Sequence, residues 1–316
     1  MSGERRPDVP GLGAAKPTEI PAAGWWQVIR RAWAEAKADQ VPLLAAGVAF
    51  FGFLSLFPAI VAGVLAYGLV ADPAQIRNQV KDLTATMPAS GRDLLLQQLD
   101  ALTSAPRQGL GIGVAVAVVV ALWSASGGVG YLLTAVNLAY DEEQTRGFAR
   151  RKLLALGMTL GAIVFVLLAI ALFAAGAAIG NDVATPVRIL LVVARLVLAV
   201  VLITVALAVT YRLGPDRDAP RIRWVSTGAI VATVIWLTAS IGFSIYVETF
   251  GNYAKTYGSL AAVVVLMLWL WLTAYAVLLG AEINAEAEQQ TARDTTTGEP
   301  RPLGERNAVK ADTIPQ

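Results

Sequence analysis

Six long apolar runs, at 43–70, 109–139, 153–179, 189–211, 224–247 and 260–281, alternate with shorter polar stretches along this 316-residue chain. A helix needs about 20 mostly apolar residues to cross a hydrocarbon core of about 30 Å, so each run predicts one transmembrane span. The pattern therefore predicts an all-α fold: a polytopic membrane protein with six transmembrane helices, amphipathic interfacial helices and disordered tails. The segment 22–41 is amphipathic, with Trp26, Ile29 and Trp33 at helical spacing and Arg30, Arg31 and Lys37 beside them. Such a helix lies on an anionic membrane face with its tryptophans at headgroup depth, or packs on the ends of the bundle; the pattern suits both. In the connection 72–108, Asp72-Pro73 is a helix start followed by the stripe Ile76, Val80 and Leu83, and Ser90 or Gly91 opens a second helix with Leu95, Leu99 and Leu102. Neither is apolar enough to span, so both are expected over the outer face of the bundle. Segments 1–21 and 286–316 are polar, lack periodicity and are expected to be disordered.

Basic residues set an orientation. Arg146, Arg150, Arg151 and Lys152 follow the second run, and Arg212, Arg217, Arg221 and Arg223 follow the fourth, whereas the stretches after the third and fifth carry Arg188 and Lys255 alone. Positive charge collects on the cytoplasmic side, which predicts both termini there, as an even number of spans requires.

The second run carries a polar interruption. In VVVALWSASGGVGYLLTAVNLAY (118–140), Ser124, Ser126, Gly127, Gly128 and Gly130 are poor helix formers, each Gly costing about 1 kcal/mol against Ala. A helix weakened there must find backbone partners in neighbouring helices or a water-filled cavity, although small residues also serve close helix packing. In the first run, Pro58 of LSLFP leaves the Leu54 carbonyl without its helical donor, which predicts a kink with Ser55 close by. Ser55, Pro58, Ser124, Ser126, Gly127 and Gly128 are therefore candidate cavity-lining positions, with Asn137 and Tyr257 as further polar candidates.

Two charged positions stand apart. Arg195 is the one charge inside the six runs, about 9 Å below the start of its helix at about 1.5 Å per residue, and Glu248 is the nearest carboxylate in prospect, with Asp182 second. Either it snorkels to the interface or it faces a cavity, where it would attract a phosphate or carboxylate group. Glu282 marks the end of the sixth run, beside the basic loops, where it is expected to be a solvated partner of Arg150 or Arg223, or else a gating group.

Composition narrows the chemistry. The chain is 56% apolar and 15% charged, against roughly a quarter charged in soluble domains, so the excess of apolar residues has to face lipid. It has no cysteine and no histidine, which excludes disulfides, zinc-thiolate sites, Ser-His-Asp catalysis and histidine-ligated metal hydrolysis. The net charge of +2, spread in short clusters, implies no nucleic-acid partner. There is no phosphate-binding Gly-x-x-x-x-Gly-Lys loop and no pair of carboxylates within the spans, so no cofactor and no enzymatic activity are expected.

The stretches AAGVAFFGFLSLFPAI (45–60), LWSASGGVGYLLTAVNLAYDEE (122–143) and YGSLAAVVVLMLWLWLTAYAVLLGAEINAE (257–286) together resemble the YihY/BrkB family of bacterial inner-membrane proteins. The loop RLGPDRDAPRIRW (212–224) matches that family loosely. The resemblance implies a six-helix protein of the bacterial plasma (inner) membrane, discussed as a transporter of lipids or other solutes and in virulence. The family has also carried a ribonuclease BN label, but that metal-dependent chemistry needs histidine ligands, which this chain lacks. The expected function is that of a transporter, exporter or flippase-like protein for a lipid or small anionic solute, with membrane lipids as partners. The alternative is a non-transporting scaffold or envelope-assembly factor.

Overall fold

The computed structural model describes residues 9–70, 110–179, 185–249 and 259–315. A short 3-10 turn, Pro17–Glu19, precedes eight helices: α1 Ala22–Ala38, α2 Val41–Val70, α3 Leu110–Ala139, α4 Phe148–Ile179, α5 Thr185–Leu213, α6 Ile222–Thr249, α7 Ser259–Gln289 and α8 Val309–Asp312. Helices α2 to α7 are long and apolar enough to cross a membrane. Thirty residues span about 45 Å, more than the hydrocarbon core, so the ends of these helices project beyond it. Among the described residues no strand forms beyond one antiparallel bridge between Pro220 and Thr296.

The six spans close into a ring in chain order. Each packs on its sequence neighbour, α7 closes on α2, and α7 also reaches across to α3. The α4–α5 seam is the lightest contact around the ring. Outward-facing Leu168, Val197, Leu198 and Val234 remain exposed, as residues facing lipid should. The core lies at the end that carries both termini, where Ala45, Ala135, Ala139, Ala229, Ala232, Ala281 and Ala285 let the helices approach closely around Tyr140, Tyr211 and Leu278. Helix α1 rests on α7 through Gly24, Val28, Ala32 and Ala36, while Trp26 (67% exposed), Ile29 and Trp33 point away from the bundle. One stripe of α1 packs on the bundle and the other is exposed.

Several expectations change. Helix α3 runs without interruption through Ser124–Gly130, and α2 continues through Pro58. The Ser/Gly cluster therefore does not break the span; at Gly128 the backbone of α2 packs where a side chain is missing. Helix α7 continues to Gln289, well past the end of its apolar run. Glu286 and Glu288 turn inward to cations from distant segments, which a local hydropathy pattern cannot register.

The tails are also ordered where described. Thr291 Oγ1 donates to the carbonyls of Leu12 and Ala14, and Ile20 and Ala14 are buried against Trp224 and Ala287. A Cβ on Gly24 would lie 2.5 Å from the Pro10 carbonyl oxygen, so the N-terminal segment crosses directly over α1. In the C-terminal segment the buried Arg306 guanidinium donates to the carbonyls of Arg301, Arg293, Ala311 and Ala292, and Asp312 accepts from the amides of Gly304 and Arg306. These are backbone-capping interactions, which order a segment without an apolar period. The connection 72–108, Asp182 and Tyr257 lie outside the described residues.

Candidate functional site

The first candidate site is an open apolar chamber among four of the spans. Helices α2, α3, α4 and α7 line an open cavity of about 460 Å³, within the usual range for small-molecule sites of about 300–1,000 Å³. Its wall is almost wholly apolar, with Leu56, Ile60, Leu132, Ile163, Leu270 and Val277, and the polar contributions are the hydroxyls of Ser55, Thr159 and Thr273. All three are already engaged: Ser55 Oγ accepts the amide of Gly128 at 2.8 Å, and Thr159 Oγ1 donates to the Ala155 carbonyl at 2.7 Å. Thr273 Oγ1 accepts the indole N–H of Trp236 at 3.0 Å. Among the described residues no charged side chain lines the chamber.

Gly128 explains the close approach of α2 and α3. A Cβ there would stand 2.8 Å from Ser55 Oγ and 3.1 Å from both the Gly52 Cα and the Phe51 carbonyl oxygen, so a side chain there would crowd α2. Beside it the rings of Phe51 and Tyr131 stack with centroids 3.6 Å apart. Of the positions read from the sequence, Ser55 and Gly128 line the chamber; Pro58, Ser124, Ser126 and Gly127 are absent from its wall. Ser124 is exposed, and the buried Ser126 donates its hydroxyl to the Trp123 carbonyl at 2.7 Å. Residues 124 and 128 are four apart and share a face of α3, so periodicity does not separate them; α2 covers Gly128 and leaves Ser124 exposed. Thr159 and Thr273 are cavity residues that the sequence did not single out, since single threonines in apolar runs carry no distinguishing signal.

The second candidate site is a buried polar cluster at the terminal end. Glu282, Asn284, Glu286 and Glu288 on α7 are all buried. Glu286 pairs with Arg31 of α1 and with Lys310 of α8, the latter at 2.7 Å, and Lys310 also meets Asp141 at 2.8 Å. Asp141 adopts φ 55° where α3 ends, a left-handed turn that places its carboxylate there. Burial works against the Lys310 charge, but Glu286 and Asp141 outweigh it and hold the ammonium above its ordinary pKa. Glu288 pairs with Arg217 at 2.6 Å, both fully buried, and the Arg217 guanidinium sits 4.5 Å above the Tyr140 ring. Asn284 joins α7 to α6, accepting the Gly228 amide at 2.7 Å and donating to the Val225 carbonyl at 3.1 Å.

Asn137 belongs to this end and not to the chamber. Its Nδ2 donates to the Glu142 carbonyl and its Oδ1 accepts the Asp216 amide at 2.7 Å, tying the loop after α3 to the loop after α5. Asp216 accepts from the Thr145 amide and hydroxyl and the Arg146 amide, and pairs with Arg146 at 2.9 Å. Burial would raise the Asp216 pKa, but the bonds from Thr145 and Arg146 prevail and lower it. The loop that matched the resemblance loosely thus holds several of the polar contacts of this end.

Glu282 departs most from expectation. It is 1% exposed, and among the described residues neither Oε1 nor Oε2 has a hydrogen-bond partner, whereas Arg150 and Arg223 are exposed. The solvated pair is therefore not formed, because α7 turns Glu282 toward the core between Leu278 and Glu286. At the other end of the bundle, Arg195 is half-buried on α5 and Glu248 is exposed near the end of α6. Neither lines the chamber.

Six apolar spans, four of them around an open apolar chamber, capped by a polar cluster, define a polytopic α-helical integral membrane protein. The chain belongs to the virulence factor BrkB family, whose model matches residues 32–303. It is similar to the ribonuclease-like protein YfkH of Bacillus subtilis (strain 168), at 31% identity over 247 residues covering 76% of this chain and 88% of YfkH. It is also similar to UPF0761 membrane proteins of Alteromonas mediterranea (40% over 79 residues, 25% of this chain and 26% of that protein) and Tolumonas auensis (41% over 66 residues, 20% and 22%). No solved structure matches the chain.

Proposed function

We propose that this protein is a multi-pass protein of the bacterial plasma membrane, with both termini cytoplasmic, that moves a lipid across the bilayer as a transporter, exporter or flippase-like protein. The observation that carries this reading is the chamber of about 460 Å³, whose apolar wall suits an acyl chain and offers nothing to hold a free ion. A small anionic solute is the weaker variant, since it relies on Arg195, which does not line that chamber. Pairing of Arg195 with Glu248 belongs to the same variant. The orientation rests on the basic loops after α3 and α5.

The ribonuclease-like name of YfkH is not carried over. A chain without histidine lacks the ligands of that metal chemistry, and we infer a non-enzymatic role. The scaffold reading draws support from Gly128, where the small residue serves helix packing. Reconstitution into liposomes carrying a fluorescent phospholipid separates the two. Wild-type protein should expose the inner-leaflet probe to an external quencher, and Ala162→Phe or Thr159→Phe, which fill the chamber, should abolish that exposure. Quenching no greater than in protein-free liposomes would leave the scaffold reading standing.

A further inference from the structure

Glu282 is the feature that neither the chamber nor the packing of the bundle accounts for. Its carboxyl is enclosed by α7 and its neighbours, and among the described residues no donor reaches either oxygen. Every other buried carboxylate of the cluster is answered: Glu286 by Arg31 and Lys310, and Glu288 by Arg217 and the hydroxyl of Thr295. The charged groups that face Glu282 are Asp39 from the α1–α2 turn, Glu286 from its own helix, Asp141 from the end of α3 and Lys310 from α8, and the buried hydroxyl of Tyr140 also faces it without bonding to it. Three are acids, and the one cation is already committed to Glu286 and Asp141. A carboxylate that is buried, unbonded and beside other acids is removed from water without compensation, and such a group takes up a proton instead.

We propose that Glu282 is a proton-binding site, a carboxyl that is neutral in this conformation and ionises only when the terminal end of the bundle opens to water. Asp39 is half-buried and Asp141 is 41% exposed, so both stand between Glu282 and solvent and supply a route for the proton. Protonation and conformation are then linked, because closing the Lys310 segment over the cluster requires the proton and opening it releases the proton. If the protein transports, as proposed above, this is the group through which a proton gradient would act; the proton site itself does not depend on that reading.

The test uses dicyclohexylcarbodiimide, an apolar reagent that modifies neutral carboxyls in apolar surroundings, on wild-type protein in detergent with the modified residue read by mass spectrometry. Glu282 should be modified severalfold more than Glu286 or Glu288, and its modification should fall severalfold from mildly acidic to alkaline pH. Modification spread evenly over the cluster, or none at Glu282, would overturn the proposal. Protection of Glu282 by sodium but not by choline at constant pH would also overturn it, showing that the carboxylate binds a metal cation. A second readout is the carbonyl stretch of a neutral carboxyl in the infrared spectrum, which should be lost in Glu282→Gln; a spectrum without that band in wild-type protein refutes the proposal whether or not the variant folds. None of these readouts involves transport, so they fail or succeed separately from the liposome experiment.

Discussion

Gly228→Ala should unlock the junction of α6 and α7. The added Cβ would lie 2.4 Å from Asn284 Oδ1 and 2.4 Å from the Gly280 carbonyl oxygen, and backbone cannot step aside as a flexible side chain can. An ordinary contact needs about 3.4 Å, so the helices must separate by about 1 Å at their closest point. Separation breaks the Asn284 bonds to Gly228 and Val225 and loosens Gly280, whose own Cβ position is 2.5 Å from Ala232 Cβ and Tyr211 Oη. Overpacking costs about 1–3 kcal/mol and each interhelical hydrogen bond in a membrane about 0.6 kcal/mol, for a total of about 2–4 kcal/mol. Gly157→Ala on α4 is the control, because nothing lies within 4 Å of its Cβ position; it should be neutral to within about 1 kcal/mol. Thermal melting in detergent, followed by the loss of monodisperse protein, measures both. If Gly228→Ala melts with Gly157→Ala and wild type, the close approach of α6 and α7 is refuted.

The remaining predictions concern charge and topology. Arg217→Met should cost about 3–5 kcal/mol by leaving Glu288 buried and unpaired, whereas Arg301→Ala, whose pair with Asp218 is 46% and 39% exposed, should cost under about 1 kcal/mol; melting of the two variants under one buffer tests the contrast. Burial pushes Glu142 up to about 7 despite the Val309 amide bound to it. Because its folded pKa exceeds the unfolded value, its contribution to stability is full below about 4.5 and is lost as pH rises through about 7, so Glu142→Gln should flatten the melting profile over that window. Reporter fusions at Gln98 and at the C-terminus should report opposite sides of the membrane, and the same side for both would overturn the proposed orientation.

The six spans and the helix α1 were legible in the sequence because membrane insertion is a local matter. About 20 adjacent apolar residues settle it among themselves, whatever they later touch, so runs such as 43–70 and 189–211 announce α2 and α5 directly. The absence of histidine and cysteine likewise bounded the chemistry before any fold was known. The fate of the polar residues was not legible, because it depends on partners far away in the chain. Glu286 meets Arg31 from 255 positions earlier, and Glu288 meets Arg217 from 71 positions earlier, so the end of α7 reads as a solvated tail until those cations are brought in. Ser124, Ser126 and Gly128 look alike in the sequence, yet one faces outward, one bonds its own helix and one is pressed against α2, since only the neighbouring helix decides which face is covered. Glu282 is the sharpest case. Its position at the end of an apolar run suggests water and a nearby arginine, and only the packing of α1, α3 and α8 around α7 removes both and leaves a buried acid to hold a proton.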